Sequence, residues 1–238
     1  LEAFDKLKNP VFKNAEAYYY LAYKNDKIVG RITAIINWEE VNHQQKKKVR
    51  FGWFDVIDDI EVTKALLEKV YELGRKNNLE YVEGPMGFSN LDKVGVLTEG
   101  FDEIGTMITW YNHNYYVNHF EQLGFVTEKE FIESNFPFKN VKPEVFAKAQ
   151  ALIKKRYNLR AINFKTTKEV MPYVESIFKL FNDSYAGLDS FVAISDEQIA
   201  FFKKKYIGLI NPEYIKYVVD KDDQVVAFSI TMPDFARA

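Results

Sequence analysis

The side chains that could do chemistry gather in two stretches of this 238-residue sequence. The first, "EGPMGFSN" (residues 83–90), leaves the end of a predicted strand and sets Glu83, Ser89 and Asn90 beside small, flexible backbone. Ligand crevices form beyond the ends of parallel strands. Glu83 is therefore a candidate general base, although a tight turn with a surface carboxylate fits the same residues equally well. The second, "YNHNYYVNHFEQLGF" (residues 111–125), reads as a helix closed by Gly124, with Tyr115 and Tyr116 on it and His113 and His119 six residues apart. Six is a poor helical spacing for two ligands of one metal, and no carboxylate pattern completes a site, so no metal is expected. There is no GxSxG or Walker motif, and "GFDEIG" (residues 100–105) resembles a binding loop in composition alone. The absence of cysteine removes thiolate zinc sites, cysteine nucleophiles and disulfides together.

A third stretch, "FDVIDDIEVTKALLEKV" (residues 54–70), reads as a buried strand, a tight acidic loop and an amphipathic helix. Such junctions hold phosphates when amide N–H groups and the helix dipole face the ligand and glycines let the backbone approach. This loop has no glycine, and it carries Asp58, Asp59 and Glu61. Each carboxylate beside a pyrophosphate would repel it by about 1 kcal/mol when partly screened. Asp58 or Asp59 fits better as the N-cap, and Glu61 as a first-turn residue that complements the dipole.

The elements that position these residues follow from pattern. The chain is 47% hydrophobic and 16% aromatic, too apolar for disorder, and its net charge of −2 gives no basic excess for nucleic acid. No apolar run approaches the roughly 18 residues of a membrane span. A soluble, cytoplasmic protein is expected, with Lys46-Lys47-Lys48 as a solvated loop before a strand. Ala17 to Tyr23 and Ile28 to Ile36 predict a hairpin around a four-residue polar turn, Lys24 to Lys27. Val49 to Val56 has almost no polar face before Asp55 and should lie mid-sheet. A helix from about Glu61, a short strand before Pro85, the late helix and a return strand over Phe125–Phe138 complete the first half. The second half reads as a basic helix, Pro143 to Arg156, a strand from Leu159 to Phe164, and a helix from Lys168 to Tyr185. A second helix then runs from Asp196 to Leu209, capped by Ser195 with Gln198, before a hairpin from Tyr214 to Met232.

This order resembles two pieces of the GNAT (N-acetyltransferase-like) fold: an α/β chain with a mixed sheet in residues 1–140, and a partial second copy in 141–238. The resemblance is carried by "FGWFDVIDDIEVTKALLEKV", which looks like the central strand and cofactor helix, and by "NHFEQLGFVTEKEF", which looks like the late helix and return strand. It implies an acyl-CoA-dependent N-acyltransferase acting on a small-molecule amine, with acetyl-CoA or another acyl-CoA as donor. The donor would lie along Phe54, Asp55 and Val56, with Asp59 at the helix start. Glu83, Tyr115 and Tyr116 become the catalytic candidates, because the family's acid, a tyrosine four residues before the glycine, is replaced by Phe120. The loop also departs from the family's basic, glycine-spaced pattern. The alternative implied is a non-catalytic binding module that has lost its pyrophosphate loop.

Overall fold

The computed structural model describes residues 2–89, 92–106, 109–188 and 191–233; Asn90, at the end of the first candidate stretch, lies outside them. The fold is mixed α/β and divides into two compact units. The first runs to Val126 and takes in the residues around Phe191; the second holds Thr127–Ala186 and Ile194–Pro233. The boundary by contacts thus falls after residue 126, against 140 in the sequence reading.

In the first unit, β1 (Ala15–Lys24) and β2 (Lys27–Asn37) pair antiparallel down to Lys24 opposite Lys27. The connection is therefore two residues rather than four. Asn25 and Asp26 both take left-handed backbone, φ 49° and 61°, as the tightest hairpin turns require and as these residue types tolerate. A short α1 (Trp38–Asn42) leads to β3 (Lys48–Val56), which lies inside the sheet order β1-β2-β3-β4. Lys48 is not solvated: it opens β3 and is 2% exposed. Next, α2 (Ile60–Lys76) starts at Asp59, whose side chain accepts the Glu61 N–H. It buries Leu66, Leu67, Val70 and Leu73 against Ile32, Ala34, Ile36, Val49 and Phe51. Each such side chain contributes roughly 1.5–3 kcal/mol on burial. The short β4 (Tyr81–Glu83) pairs parallel with β3, and α3 (Tyr115–Gln122) ends before Gly124 at φ 82°.

The return strand expected over Phe125–Phe138 does not form. Residues 125–137 adopt no regular structure and expose Val126, Phe131 and Ile132, with no strand beside them among the described residues.

In the second unit, α4 (Pro143–Tyr157) precedes β5 (Arg160–Asn163). The single helix expected from 168 to 185 is broken into α5 (Thr167–Val170), a 3-10 turn and α6 (Val174–Tyr185). Pro172 sits in that turn, where its missing N–H and its ring interrupt the α pattern. The helix α7 (Asp196–Lys205) carries the Ser195–Gln198 capping box, and β6 (Ile215–Val219) and β7 (Val225–Ile230) complete an antiparallel β5-β6-β7 sheet. Its core is Phe164, Val170, Val174, Ile177, Ile207, Ile215 and Tyr217.

Candidate functional site

β3 and β4 are partners for three residues only, Lys48 to Arg50 against Tyr81 to Glu83. The Met86 N–H still donates to the Phe51 carbonyl at 2.7 Å, and then the chain turns away. On its other edge β3 bulges: Gly52 faces Thr33 and Asp55 faces Arg31, so Trp53 and Phe54 together oppose Ile32. Trp53 takes φ 44°, a left-handed value costly for a bulky residue. The extra residue switches the alternation of the strand. Val49 and Phe51 before the bulge, and Phe54 and Val56 after it, all face the α2 core. Trp53 is sent to the opposite side, against Phe4 and Phe88.

Where the two segments part there is a cavity of about 240 Å³. Its walls come from Gly52 to Asp55, Pro85 to Gly87, Asp92, Lys93, Gly95 and Val96, Trp110 to Asn112, and Tyr116. Two glycines make the junction possible. A Cβ on Gly52 would lie 2.2 Å from the Met86 carbonyl oxygen, and one on Gly87 would lie 2.6 Å from Asp92 Oδ2.

Of the residues singled out in the sequence, Phe54, Asp55 and Tyr116 line this cavity; Val56, Asp59, Glu83 and Tyr115 do not. Both tyrosine hydroxyls meet the backbone of Val56. Its N–H donates to Tyr116 Oη at 3.1 Å, and its carbonyl accepts from Tyr115 Oη at 2.7 Å. Burial pushes both phenols above their ordinary range. The Val56 amide partly offsets this at Tyr116, while the neighbouring Tyr116, Asp58 and Asp55 add to it at Tyr115. Asp55 is paired with Arg31 at 2.5 Å. Phe120 is core, its ring against Phe51, Phe54 and Phe125.

The acidic loop is committed to structure. Asp58 Oδ1 lies 3.2 Å from His119 Nε2, and His119 Nδ1 lies 2.9 Å from Thr63 Oγ1, tying α3 to α2. Asp59 caps α2 and pairs with Lys24 at 3.0 Å. The Lys24 bond first, and then the Glu61 amide, hold its carboxyl below the usual range.

Beneath the cavity lies a buried ionic cluster. Arg50 is fully buried and donates to Glu40 through Nε at 2.7 Å and through NH2 at 2.5 Å. Its NH1 donates to the carbonyls of Gly87 at 3.1 Å and Phe88 at 3.4 Å. Lys48 Nζ sits 2.9 Å from Glu40 and also contacts Glu83. Two cations and two carboxylates balance, which is what low-dielectric burial demands. Glu83 thus faces Lys48 as a counter-ion rather than the cavity as a base.

Three further polar residues of the cavity, Asp92, Lys93 and Asn112, carry no signal in the sequence that marks them. Asp92 Oδ2 accepts the Ser89 N–H at 3.0 Å, with the Phe88 amide on the same side. Burial nonetheless pushes it above the usual carboxylate range, against the lowering pull of those amides and of Arg50. Lys93 Nζ donates to the Thr109 carbonyl at 3.0 Å and lies 4.7 Å from the centre of the Trp110 ring. Asn112 holds both backbone groups of Leu97. These residues are scattered over an irregular stretch without period, and the Met86–Val94 bridge and the Gly95 N–H on the Pro85 carbonyl at 2.7 Å help to bring them together.

Among the described residues no group of three or more His, Cys, Asp or Glu side chains is placed to hold a metal ion. No helix among them is long and apolar enough to cross a membrane. No protein-family model matches the chain, and no solved structure matches it. The chain is similar to Protein YghO of Escherichia coli (strain K12), 25% identical over an alignment of 236 residues that covers 97% of this chain and 58% of that protein. It therefore spans little more than half the length of the curated relative it matches.

Proposed function

We propose that this chain is part of an acyltransferase that moves an acyl group from a thioester, acetyl-CoA or another acyl-CoA, to an amine. One observation carries the reading: a parallel strand pair that opens after three residues onto a cavity lined by the bulged central strand. Further support comes from the order hairpin, central strand, helix, parallel strand and late helix. The second sheet, with β5 and the hairpin around α5 to α7, looks like the opening of another copy.

In the reaction the amine nitrogen attacks the thioester carbonyl carbon, a C–N bond forms and the C–S bond breaks. The Tyr116 hydroxyl protonates the departing thiolate. Its oxygen already accepts the Val56 amide, so the proton is the part of the group left to give; because burial makes this phenol a weaker acid than a thiol, the proton passes to sulfur only as the amine returns one to the oxygen. The donor is held by its acyl end. The start of α2 is occupied by the Asp59 cap with Asp58 alongside, and it offers a pyrophosphate no cradle.

The assay is thiol release from an acyl thioester in the presence of a panel of amines. With no cysteine in the chain, released thiol is read without background. Amine-dependent release is expected, reduced about 10²-fold or more in Tyr116→Phe. Calorimetry with acetyl-CoA should show weak binding that strengthens in the double variant Asp58→Gly, Asp59→Gly; micromolar binding unchanged by the glycines would refute the account of the loop. A second reading, a binding module without transfer, draws on the two tyrosines that occupy the Val56 backbone. It is favoured if amines bind and no thiol is ever released.

A further inference from the structure

We infer that Asp92 is the anchor for the acceptor: the cavity takes an aliphatic amine as its ammonium, and the Asp92 carboxylate binds that ammonium and receives a proton from it. The proton step rests on the acyl-transfer reading; the binding step does not.

The carboxylate is placed with little freedom. The Ser89 amide holds it from one side, and Gly87 packs so closely that no side chain fits between them. The other charges of the cavity are already answered. Asp55 is neutralised by Arg31, and Lys93 is turned onto the Thr109 carbonyl and the Trp110 face. Among the described residues Asp92 forms no ion pair, although it lines the cavity. Arg50 is close enough to act on it electrostatically, but its guanidinium is engaged with Glu40.

The walls around this carboxylate are aromatic: Trp53, Phe54, Trp110, Tyr111 and Tyr116. Aromatic faces attract cations, the more so when water is excluded, and Lys93 over Trp110 is a cation already held this way. A cavity of about 240 Å³ has room for roughly eight waters at about 30 Å³ each. That suits an amine head of a few heavy atoms and leaves any longer remainder outside.

For transfer, the bound ammonium gives one proton to Asp92, whose burial favours accepting it, and becomes a nucleophilic amine. As the C–N bond forms and the C–S bond breaks, Tyr116 gives its proton to the thiolate while the second nitrogen proton passes to its oxygen. Asp92 then releases its proton to water. Ammonium and thioester become amide, thiol and one solvent proton.

The test uses the 238-residue chain, without any donor, and two probes of nearly equal shape, benzylammonium and benzyl alcohol. Calorimetry on the wild type should show the ammonium bound at least tenfold more tightly. Asp92→Asn keeps an oxygen for the Ser89 amide and should erase that preference while alcohol binding stays the same, which also reports an intact cavity. Equal binding of the two probes by the wild type, no ammonium binding at millimolar concentration, or a preference that persists in Asp92→Asn overturns the inference. If Asp92→Asn fails to fold, the wild-type comparison decides. Selective amine binding without acyl transfer would sink the proposed function and leave the anchor standing. Undiminished transfer by Asp92→Asn would do the reverse.

Discussion

Replacing Arg50 with methionine tests whether the ionic cluster under the cavity is a structural keystone. The guanidinium is fully buried, binds Glu40 through two nitrogens and donates to the carbonyls of Gly87 and Phe88. Removing it leaves Glu40, 1% exposed, with Lys48 as its remaining cation, and takes the cluster from neutral to one net negative charge. Breaking one side of a buried pair costs about 3–5 kcal/mol, a change of more than a hundredfold in the folded-to-unfolded ratio. Glu40→Leu combined with Arg50→Met leaves Lys48 facing Glu83 as a balanced pair. The double variant should therefore recover at least half of the single-variant loss. All three tryptophans, Trp38, Trp53 and Trp110, belong to the first unit. Urea unfolding followed by tryptophan fluorescence thus reports that unit without the second. A loss below about 1.5 kcal/mol in Arg50→Met, or a double variant no better than the sum of the singles, would refute the reasoning.

Gly52→Ala places a Cβ 2.2 Å from the Met86 carbonyl oxygen, so β3 and the following segment must part. A loss of about 1–3 kcal/mol is expected together with loss of amine binding, read by melting and calorimetry; a stable variant with normal binding would show that the close approach is dispensable. In the second unit the Tyr217 hydroxyl is buried without a hydrogen-bond partner among the described residues, and burial drives its pKa far above the ordinary value. Tyr217→Phe should raise stability by about 1 kcal/mol; a clear loss would reveal a partner. Asp59, lowered by its bonds to Lys24 and the Glu61 amide, contributes stability that is full above its ordinary value of 3.8 and is lost as pH falls through the lower folded value. Asp59→Asn should flatten the acid limb of a melting-temperature profile below about pH 4, and an unchanged limb would remove Asp59 from that account.

The regular elements were legible where local physics decides them. The apolar run of β3 demanded two strand neighbours, the stripe on α2 demanded a sheet beneath it, and Ser195 with Gln198 fixed the start of α7. The failures share a cause, which is that the deciding partner is distant. "FVTEKEFIESNFPF" alternates like a strand, but a strand needs a neighbour, and none is supplied among the described residues. The run Lys46-Lys47-Lys48 looks uniformly solvated. The period of two in β3 nevertheless turns Lys48 and Arg50 to one face, where α1 delivers Glu40 and β4 delivers Glu83. Glu83 was visible as a carboxylate at a strand end, while its commitment to Lys48 was visible only in three dimensions.

The cavity itself depends on a feature that alternation cannot announce. In "VRFGWFDV" the apolar side chains run almost without interruption, so nothing marks which residue is the extra one. The structure inserts it at Trp53, in a left-handed conformation that costs on the order of 1–3 kcal/mol unless its surroundings hold it. They do: Phe4 and Phe88 pack on the indole with ring centres 4.7 and 5.5 Å away. The return is geometric. A regular strand with Val49 and Phe51 in the core would turn Phe54 outward and bring Trp53 and Asp55 onto the α2 side. The bulge reverses that parity, keeps Phe54 and Val56 in the α2 core and turns Trp53 and Asp55 to the other face of the strand, with Trp53, Phe54 and Asp55 all bordering the cavity. Phe88, which braces the indole, is the residue whose carbonyl accepts from Arg50, and the amide that follows it, Ser89, is the one Asp92 accepts. One residue therefore joins the strained strand, the buried ions and the candidate anchor. Shrinking its side chain in Phe88→Ala should weaken amine binding although Phe88 itself does not line the cavity. Calorimetry that found benzylammonium binding unchanged in a folded Phe88→Ala protein would separate the three and leave the bulge without a part in the site.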